Sequence, residues 1–192
     1  VLFLTLLFGR SWSDLRAAEE SPTVLRGANV AVEVRTAKDQ LRERYLAKRG
    51  SEWIEVAVAG DGAAETPVAL LIASNQQLRC TVRSVSLRDG TLQEEFDTRA
   101  GRITRRLAIL GEGPWIQVTT RFEPDAPIEL HSFGDGFRFS HPCDWAYSPS
   151  VGGFNPDAQY KAPLILVQAG QIAFGLVPDL AALDREGLKR CN

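Results

Sequence analysis

The chain has 192 residues, of which 44% are hydrophobic and 24% charged, with a formal net charge of −2 and an isoelectric point near 5.8. That length accommodates one domain with a sizeable core. The near-neutral balance supplies no basic field, which excludes nucleic acid as the main partner, because such affinity comes mostly from neutralising phosphates.

The first stretch, VLFLTLLFG (residues 1–9), is too short to span a bilayer and has the length of the apolar part of a secretory signal. Ala17 and Ala18 follow it, while an initiator Met and a basic leader are missing. Residues 1–18 are therefore expected to be a truncated signal peptide of a secreted or periplasmic protein with no stable membrane span. A buried first strand is the competing reading.

From Val30 the chain alternates with period two. In NVAVEVR, Val30, Val32 and Val34 point one way and Ala31, Glu33 and Arg35 the other. The next stretch, TAKDQLRERYLAKRG (36–50), predicts a helix instead. Thr36 would cap it, Asp39 would complete an approximate capping box, Leu41 and Tyr45 would share a face, and Gly50 would stop it. Extended runs then follow: WIEVAVAG, PVALLIAS, LRCTVRSVSL, GRITRRLAIL, WIQVTTRF, PIELHSF, FRFS, PLILVQ and QIAFGLVP. The turn GEGP joins two of them into a hairpin, and Ala169-Gly170 joins the last two. Asp61-Gly62, Asp89-Gly90 and Asp135-Gly136 read as turns. The expected fold is all-β: a two-sheet antiparallel β-sandwich with one short helix, spanning residues 19–180. Residues 181–192 read as the start of a linker to a missing C-terminal domain.

Motifs for chemistry are scarce. Nucleophile elbows, P-loops, dinucleotide fingerprints and HExxH patterns do not occur. Cys80, Cys143 and Cys191 lack metal-ligand spacing, and no metal or cofactor is called for. In an exported protein Cys80 and Cys143 would be the one pair well inside the domain; buried, unpaired thiols are the alternative. A Ca²⁺ site on Asp144, Asn155 and Asp157 has no recognisable ligand spacing either. The basic run TRAGRITRR (98–106) puts Arg102 and Arg106 on one strand face with Thr104, and Ile103, Arg105 and Leu107 on the other. It reads as a solvated face.

The segment HPCDWAYSPSVGGFNPDAQYKAP (141–163) concentrates recognition chemistry. Trp145, Tyr147, Phe154 and Tyr160 interleave with Asp144, Asn155, Asp157 and Gln159, beside His141. Flat rings stack on the C–H faces of sugars while carboxylates and amides bind their hydroxyls. Asp144, Trp145, Tyr147, Asp157, Tyr160 and His141 are the expected substrate-binding residues. A different reading takes His131, His141 and Glu129 as the acid and base of a free-standing sugar epimerase. A third is a structural or adhesive sandwich with no small ligand, its aromatics filling the core under a long loop.

The succession TRRLAILGEGPWIQVTTRFEP, HPCDWAYSPSVGG and QYKAPLILVQAGQIAFGLVPD resembles the galactose-mutarotase-like supersandwich that precedes an (α/α)6 toroid in six-hairpin glycoside hydrolases. The resemblance covers residues 30–179 as architecture. It implies that the acid and base lie on a helical catalytic domain of the same polypeptide. The sandwich would pack against that domain and send a loop towards the carbohydrate.

Overall fold

The computed structural model describes residues 21–60, 66–72, 76–142, 144–147 and 165–177. In chain order the strands are β1 (Thr23–Arg26), β2 (Val30–Ala37), β3 (Gln40–Arg49), β4 (Glu52–Ala59), β5 (Val68–Ile72), β6 (Gln77–Leu78), β7 (Thr81–Arg88) and β8 (Thr91–Thr98). They continue with β9 (Gly101–Leu110), β10 (Trp115–Pro124), β11 (Leu130–Asp135), β12 (Arg138–Phe139), β13 (Trp145–Tyr147), β14 (Ile165–Ala169) and β15 (Ile172–Leu176). Every pairing is antiparallel.

The first large sheet has the order β1-β2-β3-β4-β12 and the second β10-β9-β8-β7. Two three-stranded sheets, β11-β5-β6 and β13-β14-β15, accompany them. Alternation decides what lies between the layers. From the first sheet Leu25, Val32, Val34, Leu41, Tyr45, Ala57 and Ala59 meet Leu92, Phe96, Ile103 and Leu107 of the second, together with Val68 and Cys80. Phe133, Phe137 and Phe174 pack against this cluster from the strands and turns of the smaller sheets. The sandwich expected from sequence is thus present, with one shared core.

The expected helix over 36–50 is not. Thr36 belongs to β2, and a two-residue loop, Lys38-Asp39, turns the chain into β3, with Lys38 at φ 55°. Helix propensity differs among ordinary residues by at most about 0.7 kcal/mol each, and a short isolated helix is marginal in water. Pairing β3 with both β2 and β4 satisfies its backbone on two sides and buries Leu41, Tyr45 and Leu46. Gly50 does end the element, at φ 62°, as the first residue of the β3–β4 turn. Strand β8, which sequence reading left unassigned, follows the Asp89-Gly90 turn. Both turn residues are left-handed (φ 48° and 72°), the type I′ geometry that suits hairpins.

Glycine is indispensable at one crossing. Gly60 ends β4 at φ 67°, and an added Cβ would fall on the carbonyl oxygen of Leu41. Among the described residues no helix is long and apolar enough to cross a membrane.

Candidate functional site

The main concentration of charge lies inside the sandwich. Arg105, Glu43 and Glu94 are fully buried. The register explains how they meet. Glu94 of β8 and Thr120 of β10 sit directly opposite Arg105 of β9, on the face that also carries Leu92, Phe96, Ile103 and Leu107. Glu43 comes from β3, between Leu41 and Tyr45 on the inner face of the opposing sheet. Asp135 arrives from the end of β11.

Arg105 spends its donors on these groups. Nη1 donates to Glu43 and, at 3.0 Å, to Glu94 Oε2; Nε donates to Asp135 Oδ1 at 2.7 Å; Nη2 donates to the Tyr45 hydroxyl at 3.1 Å. Tyr45 in turn donates to Glu43 Oε2 at 2.6 Å, and Thr120 donates to both Asp135 oxygens at 3.1 and 3.0 Å. The guanidinium carbon lies 5.9 Å from the centroid of the Phe137 ring, which meets Tyr45 edge-on.

One cation faces three carboxyl groups, so the protonation of the cluster has to adjust. Burial, and then the charge of Glu43, push the Glu94 carboxyl well above the usual carboxylate range, against the pull of Arg105. A proton on Glu94 also resolves an oddity. Its Oε1 is buried with no donor to accept from, whereas a protonated carboxyl can itself donate to Glu43. Burial raises the Tyr45 phenol, as does the charge of Glu43. Burial alone would lower the Arg105 guanidinium, but Glu43, Tyr45, Glu94 and Asp135 outweigh it and hold the proton more tightly. Arg105, Glu43 and Glu94 are sealed from solvent and bonded chiefly to one another. The cluster joins β3, β8, β9 and β11 at one point.

The rim residues expected from sequence are placed as follows. Residues 138–141 run beside β4: Arg138 and Phe139 pair with Val58 and Ala57, and Ser140 N donates to Val56 O at 2.9 Å. His141 is half-buried, its Nε2 donating to Glu55 O at 2.7 Å and its ring edge-on to Phe139 at 5.7 Å. Ser140 Oγ donates to Glu55 Oε1 at 2.9 Å, and Arg44 bridges Glu55 Oε2 (2.7 Å) and Glu33 Oε2 (2.9 Å). Burial would raise the Glu55 carboxyl, but hydrogen bonds from Arg44 and Ser140 and the charges of Arg44 and Arg42 lower it.

Asp144 is exposed and doubly tied to the β14–β15 hairpin. Its N donates to Gln168 O at 2.8 Å, and its Oδ2 accepts from Gly170 N at 2.7 Å. The backbones of Trp145 and Tyr147 continue that pairing opposite Gln168 and Leu166. Asp157 and Tyr160 lie outside the described residues, as do Asn155, Cys143 and Cys191. Cys80 is buried with a free thiol, raised by burial and held 3.8 Å from Leu78 O.

The proposed epimerase residues sit on different sheets. His141 follows β12 of the first sheet, whereas His131 lies at an irregularity of β11 and exposed Glu129 just precedes that strand. No hydrogen bond joins Glu129 to His141 among the described residues. No group of acidic, His and Cys side chains there could hold a metal ion.

Sequence reading missed the buried cluster, although a signal existed. The alternation puts Arg105 on the face of Ile103 and Leu107, yet the run as a whole reads as solvated. Glu43 was hidden by the helical reading and Glu94 by the unassigned strand. In each strand a charge stands midway between two apolar residues of one face: Leu41-Glu43-Tyr45, Leu92-Glu94-Phe96 and Ile103-Arg105-Leu107. One cation and two acids at such positions are a recognisable mark of a core ion cluster.

No family model matches the chain, and comparison with curated proteins and with solved structures finds no match to either.

Proposed function

We propose that the chain is the non-catalytic β-sandwich of an exported carbohydrate-processing enzyme, and that the rim around Asp144 positions a saccharide for carboxylates on a catalytic domain of the same polypeptide. The observation that carries this reading is the bracing of Asp144. Its amide and one carboxylate oxygen are tied to the β14–β15 hairpin, while the exposed side chain keeps its second oxygen without a donor among the described residues. A carboxylate held this way orders little on binding, which lowers the entropic cost of accepting sugar hydroxyls. It directly precedes β13, whose Trp145 and Tyr147 pair through their backbones with the same hairpin, so aromatic residues and a hydroxyl acceptor adjoin in sequence.

The non-catalytic part of the proposal is supported by how the titratable groups are used. The strongly perturbed carboxyl, Glu94, is sealed in the core, and the Nε2–H of His141 is hydrogen-bonded to the main-chain carbonyl of Glu55. Positioning without bond cleavage is then the chemistry left to the rim.

Calorimetric titration of the chain with a panel of neutral and acidic oligosaccharides tests both halves. The expected result is binding of at least one saccharide, weakened about tenfold or more in Asp144→Asn, with no release of reducing ends. Absence of binding across the panel at millimolar ligand would overturn the reading. So would turnover of a glycoside by the chain alone.

A further inference from the structure

A second surface, remote in sequence from the rim, has the side chains of a saccharide site. On β10 the exposed residues alternate with inward ones: Trp115, Gln117 and Thr119 face out while Ile116, Val118 and Thr120 are shielded. The register extends this face across the sheet. Trp115 stands opposite Leu110; Gln117 opposite Ala108 and, beyond it, Thr91; Thr119 opposite Arg106 and then Gln93.

Trp115 is 62% exposed and Leu110 48%. Leaving an indole in water is unfavourable, and here its place is built. A Cβ on Gly113 would come within 2.8 Å of the ring atom Cδ1, so only glycine lets the indole lie against its own hairpin loop. That loop is fastened by Asn29 Nδ2 donating to Glu112 O at 3.0 Å. The ring is thus both exposed and braced.

Arg106 is the other unusual member. Three arginines of this face are neutralised, Arg83 by Glu95 and Asp97, Arg102 by Asp97 and Arg121 by Glu123, whereas exposed Arg88, opposite Thr91, joins Arg106 in lacking an acidic partner among the described residues. Arg106 has no carboxylate partner among the described residues, and its Nε alone is used, donating to Gln93 Oε1 at 3.2 Å. A guanidinium whose terminal nitrogens are uncommitted is suited to grip a carboxylate or sulfate with two parallel bonds.

We propose that this face binds an acidic oligosaccharide along β10, one sugar ring stacked on Trp115 and an acid group paired with Arg106, with Gln117 and Thr119 meeting hydroxyls between them. From Trp115 to Thr119, which lies opposite Arg106, the strand covers about 13 Å at roughly 3.3 Å per residue. That span fits a short chain of sugars and exceeds a monosaccharide. A protein partner is the less favoured occupant. Its interfaces centre on a well-packed apolar core, and beyond Trp115, Leu110 and the small Ala108 the named positions of this face are polar. The saccharide class rests on the function proposed above; the surface and its acid preference are additional.

The test compares an oligogalacturonide with a neutral cello-oligosaccharide of equal length, by calorimetry on the full chain and on Trp115→Ala, Arg106→Gln and Asp144→Asn. Both residues of the surface are exposed, so unchanged thermal midpoints in their variants establish that folding is intact. Tighter binding of the acidic ligand is expected. Trp115→Ala weakens it roughly tenfold, and Arg106→Gln weakens it roughly tenfold or more and removes the preference for acid. Equal affinity for the neutral ligand with no effect of Arg106→Gln would overturn the acid class while leaving a carbohydrate module. Binding lost in Asp144→Asn but untouched by Trp115→Ala would overturn the surface and favour the rim. Binding of neither ligand would count against both.

Discussion

Replacing Glu94 by Gln isolates the proton that the buried cluster is inferred to hold. The amide keeps an acceptor for Arg105 Nη1, now 3.0 Å from Glu94 Oε2, and supplies permanently the donor towards Glu43 that the acid supplies only when protonated. The folded-state carboxyl titrates well above its ordinary range, near pH 4.3 when unfolded. A raised carboxyl contributes fully below the unfolded value, where both states are protonated. As pH climbs through the window up to the folded value, the unfolded chain releases a proton that the native state retains, and stability falls. The slope from this one group reaches about 1.4 kcal/mol per pH unit. Glutamine removes it. The variant should match the wild type near pH 4 to 5 and exceed it by about 1–3 kcal/mol at pH 8. Urea unfolding followed by tryptophan fluorescence from pH 4 to pH 8 measures the difference directly. Parallel pH profiles for the two proteins, or a variant less stable at pH 8, would refute the assignment of the proton to Glu94.

Two further pairs of variants probe the fold by the same assay at neutral pH. Arg105→Met leaves the buried acids without their cation and should cost about 3–5 kcal/mol, whereas the triple change Arg105→Met with Glu43→Leu and Glu94→Leu should recover most of it, because the one acid left, Asp135, is partly exposed and keeps the Thr120 hydroxyl. Gly60→Ala collides with the Leu41 carbonyl at a left-handed φ and should cost about 2–4 kcal/mol, while Gly50→Ala, with a similar φ but open space around it, should cost only about 1 kcal/mol.

What could be read from sequence divides along a physical line. The strands β9 and β10 announce themselves because shielded and exposed residues alternate along each, and the turn that joins them carries Gly111 where φ is positive. The 36–50 stretch misleads for a reason internal to the code. Leu41 and Tyr45 are four apart, a spacing shared by one helix face and one strand face, and only the burial of Glu43 between them separates the two. A charge at that position rules against a buried strand unless a counter-charge waits across the core. Arg105 is that counter-charge, sixty-two residues on, and nothing local reveals it. The rim is legible as composition but not as geometry: that His141 would be tied to the Glu55 carbonyl and Asp144 to the Gly170 amide depends on which strands they happen to adjoin.

A saturated ionic cluster in a sandwich core is weak evidence for stability, since desolvating several charges offsets much of their attraction. Its consequence for register is stronger. Slipping β9 by one residue against β8 would point Arg105 outward and drive a neighbour such as Arg106, now solvated, into the core facing Glu43 and Asp135 from the wrong height. Apolar residues alone tolerate such slips better, because one leucine opposite another is much like the next. With Glu94, Arg105 and Thr120 in one row and Glu43 and Asp135 arriving from other sheets, a single alignment gives each nitrogen of the guanidinium a partner. The same alignment sets the outer face of β10 and β9, where Trp115, Gln117 and Arg106 stand at fixed spacing. A triple variant with an apolar core that stays stable yet loses saccharide affinity at Trp115 would show that the buried charges fix the geometry of the surface; retained affinity would confine their role to the interior.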